Sequence, residues 1–158
     1  MPLVLDLLRH GAALPAFQGG DESRRLSPRG RADLERLAAH LAGMGWRPDR
    51  AFASPLVRAQ ESAAIALGGL TPPPPVERMS ALRPDTEPME VLQALAGEHA
   101  TRGHVLLVGH QPLLGLLGGT LTGGSEIGFA PGALVRIEFS GTPAPGAGVM
   151  GWNLPPGF

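Results

Sequence analysis

The stretch Leu3-Val4-Leu5-Asp6-Leu7-Leu8-Arg9-His10-Gly11 decides the fold class. Its first six residues form a short apolar run, which predicts a buried strand, and the run ends at a charged pair followed by glycine. A second run, His104-Val105-Leu106-Leu107-Val108-Gly109, ends in the same way at His110. Buried strands of this kind are typical of a parallel sheet that is covered by helices.

The segments between and after these strands carry alternating helix and strand signals. A helix is predicted from Ser27-Pro28 to Gly43, because serine is a good N-cap, proline suits the first helical position, and apolar residues recur every three or four positions. The other predicted elements are a strand at 51–54, a helix capped by Ser54-Pro55 and ending near 67, a strand at 76–79, helices from Pro88 to about 97 and from Pro112 to about 121, and strands at 134–139 and 149–154. The sequence therefore predicts one α/β domain over residues 1–158, with three layers, a mostly parallel sheet and helices on both faces.

The composition excludes several kinds of chemistry. The 158 residues carry a net charge of −1, which gives no electric field that would gather nucleic acid or anionic lipid. The chain has no cysteine, and all 13 basic residues are arginine. Thiolate catalysis, zinc–thiolate sites, lysine Schiff bases and a Walker-type phosphate lysine are therefore ruled out. No apolar run approaches ~18 residues and the N-terminus lacks a basic leader, so we expect a cytoplasmic protein that binds neither nucleic acid nor membrane.

Four side chains are predicted to meet at one edge of the sheet. Arg9 and His10 follow the first strand, His110 follows the second apolar run, and Arg58 lies in the first turns of the second predicted helix. Ligands of such sheets bind outside the carboxyl ends of the strands. Two guanidinium groups ~4 Å apart repel by roughly 4 kcal/mol at an effective dielectric constant of ~20, so a pair of them requires a compensating anion. The sequence therefore predicts a binding site for an anion such as a phosphoryl group.

Three short motifs at these positions resemble the histidine phosphatase superfamily. They are, in chain order, Leu8-Arg9-His10-Gly11, Ser54-Pro55-Leu56-Val57-Arg58-Ala59 and Val108-Gly109-His110-Gln111-Pro112. The short chain, the stretch Leu26-Ser27-Pro28-Arg29-Gly30 and the lack of a long insertion after the second motif are most similar to the SixA-type phosphohistidine phosphatases. The resemblance covers nearly the whole chain and implies a phosphoglycerate mutase-like fold.

The resemblance also implies a role for each of the four side chains. His10 would be the nucleophile that becomes transiently phosphorylated, and Arg9, Arg58 and His110 would surround the phosphoryl oxygens. Water would then hydrolyse the intermediate, and no metal or other cofactor is needed. His10 has to be neutral to attack, whereas His110 is free to carry a proton, so we expect their environments to push the two titrations apart.

A carboxylic acid usually protonates the leaving oxygen in the larger family. Asp85 and Glu87 are the candidates, because they lie between the second and third motifs, where such an acid is expected. Both also suit the start of the helix predicted from Pro88, where acidic residues interact favourably with the helix dipole. SixA-type relatives lack the usual acid, which fits a phosphohistidine substrate whose imidazole leaving group departs already protonated. Asp85 is kept as a candidate catalytic residue on these grounds.

Other polar residues near the motifs have simpler explanations. Ser27 is expected to cap the helix that follows it. Glu61, one turn after Arg58, is expected to orient that guanidinium group or a neighbouring one. Arg24 and Arg25 lie in a polar loop, where they either contact the substrate or solvate the surface.

The sequence thus predicts a metal-independent phosphatase that works through phosphohistidine and acts on phosphohistidine in a protein partner. By analogy with family members whose long insertions enclose small metabolites, the short connections between the motifs imply an open, shallow site that a protein can approach. A small-molecule phosphomonoesterase, acting on a sugar phosphate or similar metabolite, is the alternative. A third interpretation is that the protein is not an enzyme but a catalytically silent module that binds a phosphorylated partner. The oligomeric state is left open.

Overall fold

The computed structural model describes residues 2–16 and 19–157, in which strands and helices alternate along the chain. The strands are β1 (Leu3–Arg9), β2 (Arg50–Ala53), β3 (Val76–Arg78), β4 (Gly103–Gly109), β5 (Leu134–Phe139) and β6 (Gly148–Leu154). The α-helices are α1 (Pro28–Gly43), α2 (Val57–Ala66), α3 (Pro88–Gly97) and α4 (Leu113–Thr122). The predicted alternation is confirmed. None of the helices in the described part of the chain has the length and apolar character needed to cross a bilayer.

The strands form one mixed sheet in the order β3-β2-β4-β1-β5-β6. The four strands β3, β2, β4 and β1 are parallel to one another. β5 runs antiparallel to β1, and β6 runs antiparallel to β5. The prediction of a mostly parallel sheet is confirmed, with an antiparallel pair added at one edge. Because β1 and β4 lie side by side and point the same way, their carboxyl ends reach the same edge of the sheet.

The apolar side chains of the central strands alternate between two cores, one on each face of the sheet. On one face, Leu5 and Leu7 of β1 and Leu107 of β4 join buried residues of α3 and α4. On the other face, Leu8 of β1 and Leu106 of β4 join buried residues of α1 and α2. Neighbouring residues of a strand point to opposite faces, so a continuous apolar run fills both cores. The molecule therefore has the three layers that the sequence predicts.

The helix starts follow the sequence signals in α1 and depart from them in α2. Ser27 is the N-cap of α1, since its side-chain oxygen accepts a hydrogen bond from the Gly30 N–H at 3.0 Å. α2 begins at Val57, with Leu56 as its N-cap residue and no capping side chain among the described residues. The prediction that Ser54 caps this helix is wrong. Its hydroxyl group is used instead at the site described below.

One charged side chain is completely buried in the middle of β1. The carboxylate of Asp6 accepts hydrogen bonds from Trp46 Nε1 at 2.7 Å, from His104 Nε2 at 2.6 Å and from the Arg136 guanidinium group at 2.9 and 3.0 Å. A buried carboxylate is tolerated when hydrogen bonds and opposite charge replace its hydration. Although burial raises the pKa of Asp6, these contacts bring it below its usual value. The cluster ties β1 to β4 and β5.

Candidate active site

Three of the four predicted side chains leave the sheet at its central carboxyl edge. Arg9 is the last residue of β1 and His10 follows it, while His110 directly follows β4. The strand register pairs Arg9 with Gly109, so the two strands end side by side. The His10 N–H continues the ladder by donating to the Gly109 carbonyl oxygen at 3.0 Å. As a result, the ring centroids of His10 and His110 lie 5.0 Å apart.

His10 is held with one ring nitrogen available for chemistry. Its Nδ1 lies 2.7 Å from the carbonyl oxygen of Gly11, which can only accept, so Nδ1 carries the hydrogen and Nε2 keeps its lone pair. The Nε–H of Arg58 donates to that Nε2 at 3.4 Å. The pKa of His10 is lowered to about 4, first by burial and then by the charges of Arg58 and Arg9. At neutral pH His10 is therefore an uncharged imidazole with a nucleophilic nitrogen.

Arg58 lies in the first turn of α2 and is 4% exposed. Its guanidinium group donates to the backbone carbonyl oxygen of Asp21 at 2.7 Å and to Asp21 Oδ2 at 3.1 Å. Asp21 belongs to the loop after β1, and its Oδ1 accepts a hydrogen bond from Arg24 at 3.2 Å. The pKa of Asp21 is lowered, first by Arg24 and then by Arg58. A carboxylate from the loop thus offsets part of the positive charge that an incoming anion meets.

Arg9, which lines the site, has one unpaired donor. Its Nη1 donates to the carbonyl oxygen of Phe129 at 2.8 Å, whereas its buried Nε has no hydrogen-bond partner within the described residues. Burial lowers the pKa of Arg9, and the charge of Arg58 adds to the effect. Unpaired buried donors are rare in native proteins, and a catalytic role or a bound water or ion accounts for many of them.

His110 is 1% exposed and is linked to Ser54, which is completely buried. Its Nε2 lies 2.8 Å from Ser54 Oγ, and its buried Nδ1 has no hydrogen-bond partner in the described part of the chain. The pKa of His110 is lowered to about 3, first by burial, then by the positive charge that His10 gains when it is protonated in acid, and then by the charge of Arg58. The expectation that the two titrations are pushed apart is wrong. Both imidazoles lie in the same buried, positively charged site, so both are neutral at pH 7.

The four predicted side chains line one cavity of about 390 Å³. The other residues that line it are mostly small or apolar, with one further cation: Ala12, Ala13, Arg24, Pro84, Gln111 and Pro131. Guanidinium groups bind phosphoryl oxygens through directed hydrogen bonds, and a neutral imidazole nitrogen can attack phosphorus. The arrangement therefore suits the binding of a tetrahedral oxyanion and the transfer of a phosphoryl group.

The acidic candidates lie outside this cavity. Asp85 is exposed and, among the residues that the structure describes, does not contribute to the lining, although the adjacent Pro84 does. Glu87 is also exposed and is the N-cap residue of α3. Their positions fit the start of a helix, where negative charge is favourable. A role for Asp85 as general acid stays a prediction.

The sequence offers no clear signal for two residues that complete the site. Ser54 stands in a Ser-Pro pair, a pattern that also occurs at the start of helices and so does not single out a site residue. Asp21 stands in a polar loop whose path is not determined by any local pattern. Glu61, expected at Arg58 or a neighbouring arginine, pairs with Arg31 at 3.2 Å. The carboxylate at Arg58 belongs to Asp21.

A family model described as the histidine phosphatase superfamily (branch 1) matches residues 5–84. The match spans about half of the chain and includes the motifs around His10 and Arg58. The chain belongs to the histidine phosphatase superfamily. This histidine phosphatase is thus an enzyme that acts on phosphorylated substrates.

Solved structures show how far the likeness extends. The protein histidine phosphatase SixA complexed with tungstate is 26% identical, with a TM-score of 0.82 and 96% of each chain covered. The putative phosphohistidine phosphatase SixA from Agrobacterium tumefaciens is 22% identical, with a TM-score of 0.81 and 99% of each chain covered. Phosphoserine phosphatase from Entamoeba histolytica, in complex with 3-phosphoglyceric acid, is 14% identical, with a TM-score of 0.71 and 96% of each chain covered. No curated protein matches the sequence. The phosphoglycerate mutase-like fold of this histidine phosphatase is therefore shown.

The three motifs of this phosphatase meet at one cavity although they are far apart in the chain. The first supplies Arg9 and His10, the second Arg58, and the third His110. Within residues 2–16 and 19–157, no group of three or more histidine, aspartate or glutamate side chains is arranged to hold a metal ion.

Proposed function

We propose that His10 is the nucleophile of this phosphatase and that Arg9, Arg58 and His110 hold the phosphoryl group it attacks. The proposal rests on one observation: the unprotonated Nε2 of His10 lies 3.4 Å from Arg58 Nε in a cavity that both residues share with Arg9 and His110. In the first step the Nε2 lone pair forms a bond to phosphorus while the bond from phosphorus to the leaving group breaks. The cations and N–H donors offset the negative charge of the phosphoryl oxygens.

Hydrolysis completes the proposed cycle. The oxygen of a water molecule attacks the phosphorus of phosphorylated His10, the nitrogen–phosphorus bond breaks, and the water proton leaves with orthophosphate or passes to solvent. His10 Nε2 recovers its lone pair, and its ring stays oriented by the hydrogen bond from Nδ1 to Gly11. The same donors serve both steps, since both transition states place negative charge on the same phosphoryl oxygens.

The proposed substrate is a phosphohistidine side chain of a protein. An ester oxygen needs a proton from a general acid when it leaves, whereas a protonated imidazole leaves without one. The exposure of Asp85 and Glu87 outside the cavity supports a substrate of the second kind. Further support comes from the 26% identical structure, which is named a protein histidine phosphatase.

A small phosphorylated metabolite is the second candidate substrate. The cavity volume of about 390 Å³ favours it, because sites for small ligands occupy roughly 300–1,000 Å³. Arg24 adds a cation beyond the four motif residues and is available to a second anionic group of such a ligand.

Trapping the phosphoenzyme tests the nucleophile and separates an enzyme from a binding module. The protein is exposed briefly to radiolabelled aryl phosphate and quenched in alkali, where phosphohistidine survives, and the label is mapped by peptide analysis. We expect label on His10, and neither label nor turnover in His10→Ala. The control His99→Asn changes an exposed imidazole near the start of β4, far from the carboxyl edge, and keeps both. Turnover in His10→Ala, or turnover of the native protein without any adduct, contradicts the proposal.

A comparison of substrates tests the leaving group. The ratio kcat/KM is measured on a phosphohistidine carrier protein, a sugar phosphate and an aryl phosphate. We expect the highest ratio on the carrier protein and the same rates for Asp85→Asn as for the native protein on all three. A preference for the sugar phosphate, together with a loss in Asp85→Asn on esters alone, favours the second candidate and assigns Asp85 as the general acid.

A further inference from the structure

The hydrogen bond between Ser54 and His110 determines which ring nitrogen of His110 carries the hydrogen. Ser54 Oγ lies 2.8 Å from His110 Nε2, and it accepts a hydrogen bond from the Leu56 N–H at 3.3 Å. Ser54 is completely buried, so its hydroxyl hydrogen cannot turn to solvent. A hydroxyl group that accepts from Leu56 still has its own hydrogen to donate, and His110 Nε2 is the acceptor in reach. Nε2 therefore keeps its lone pair, and Nδ1 of the neutral ring carries the hydrogen.

The surroundings of Nδ1 agree with this assignment. His110 Nδ1 is buried and has no hydrogen-bond partner among the described residues, and the His110 side chain lines the cavity. An N–H at this position attracts phosphoryl oxygens, whereas a lone pair repels them. The reverse tautomer would also leave the hydroxyl hydrogen of Ser54 buried without an acceptor, which is unfavourable.

We propose that Ser54 is a positioning residue, which holds His110 as the Nδ1–H tautomer so that its neutral ring donates a hydrogen bond to the bound phosphoryl group. The two imidazoles then have the same tautomer but different tasks. His10 offers the Nε2 lone pair to phosphorus, and His110 offers its Nδ1–H to an oxygen of the same group. The assignment rests on the proposed function, because it explains how His110 serves that reaction without a positive charge. With a pKa of about 3, His110 has a single ring hydrogen at pH 7, and the surroundings must place it.

The tautomer is measured directly by ¹⁵N NMR of histidine-labelled protein at pH 7. The His110 signals are assigned by their loss in His110→Asn. We expect a pyridine-type signal from Nε2 and a pyrrole-type signal from Nδ1 in the native protein. A hydrogen on Nε2 in the native protein overturns the proposal, and this measurement decides even if no variant of Ser54 folds.

Variants of Ser54 test the consequence for catalysis. In Ser54→Ala we expect the His110 tautomer to be mixed or reversed and kcat/KM to fall about 10- to 100-fold, mainly through kcat, since the lost hydrogen bond matters most where charge develops. Ser54→Thr retains the hydroxyl group and is expected to restore both the ¹⁵N pattern and most of the activity. The control is Ser62→Ala, which removes an equally buried hydroxyl group whose hydrogen bonds join the backbone of Gly11 and Arg58. It should leave the His110 signals unchanged.

The outcomes separate this inference from the proposed function. Reduced kcat in Ser54→Ala with an unchanged His110 tautomer shows that Ser54 is merely structural and overturns the inference. A native protein that forms phosphorylated His10 but carries the His110 hydrogen on Nε2 overturns the inference alone. A native protein with the expected tautomer that never phosphorylates His10 overturns the proposed function, and with it the catalytic task assigned to His110.

Discussion

Lowering the pH from 7.5 to 5.0 is expected to destabilise this phosphatase through the two buried imidazoles of its site. The pKa values of His10 and His110 in the folded protein are about 4 and about 3, against 6.5 for an unperturbed histidine. Between these values and 6.5, the unfolded chain binds protons that the folded protein does not bind. Stability is therefore fully present above pH 6.5, and it decreases as the pH falls from 6.5 towards the folded pKa values.

The magnitude follows from the two pKa values. One pKa unit corresponds to about 1.4 kcal/mol, and pH 5.0 lies roughly 1.5 units below the unperturbed value. Each histidine then removes about 2 kcal/mol from the free energy of unfolding at pH 5.0, and the pair removes about 4 kcal/mol. This is a large part of the roughly 5–15 kcal/mol that stabilises an ordinary domain.

Urea unfolding at both pH values provides the assay, with His10→Asn and His110→Asn as comparison proteins. Each variant loses one buried imidazole, so we expect its stability to fall by about 2 kcal/mol less than that of the native protein on acidification. Measuring each variant at pH 7.5 as well cancels the effect of the substitution on packing. Comparing its change in stability with that of the native protein cancels the titration of the carboxylates that all three proteins share. Equal pH dependence in all three proteins would refute the conclusion that the two site histidines are held neutral.

Three further predictions concern the surroundings of the site. Asp21→Asn removes a carboxylate that competes with anions for the site arginines. Isothermal titration is therefore expected to show that orthophosphate binds the variant about three- to tenfold more tightly. Weaker binding would mean that Asp21 mainly holds an arginine in place. Gly30→Ala places a Cβ atom 2.1 Å from the backbone oxygen of Ala12, in the loop after the nucleophile. The free energy of unfolding in urea should therefore fall by about 1–3 kcal/mol, and turnover should also fall. Gly97→Ala is the matched control, because its Cβ meets open space, and it should change neither quantity. Asp6→Asn removes the negative charge to which Trp46, His104 and Arg136 donate hydrogen bonds. The free energy of unfolding in urea should fall by about 3–5 kcal/mol. A decrease below about 1 kcal/mol would mean that this buried cluster adds little to stability.

Local patterns were sufficient for most of the fold and for the motif residues of the candidate site. The apolar run before His110 has to be covered on both sides, which predicts a central strand between helices. Ser27-Pro28 marks the start of α1 because the cap and the first helical position are both set by neighbouring residues. Once the strands are parallel neighbours, the residues at their carboxyl ends come together, and this places Arg9 and His10 beside His110.

The amino-acid order by itself therefore determined the succession of strands and helices and the three motifs, since these depend on the chemistry of adjacent residues. Only the tertiary structure decided how the motif side chains are partnered. Arg58 contacts Asp21, which lies 37 residues away in the sequence, and His110 contacts Ser54, which lies 56 residues away. Patterns among neighbouring residues do not predict contacts between residues so far apart in the chain. The pKa values of the two histidines were likewise decided by folding, because burial and the charges of Arg9 and Arg58 act on the imidazoles only when distant parts of the chain enclose one cavity.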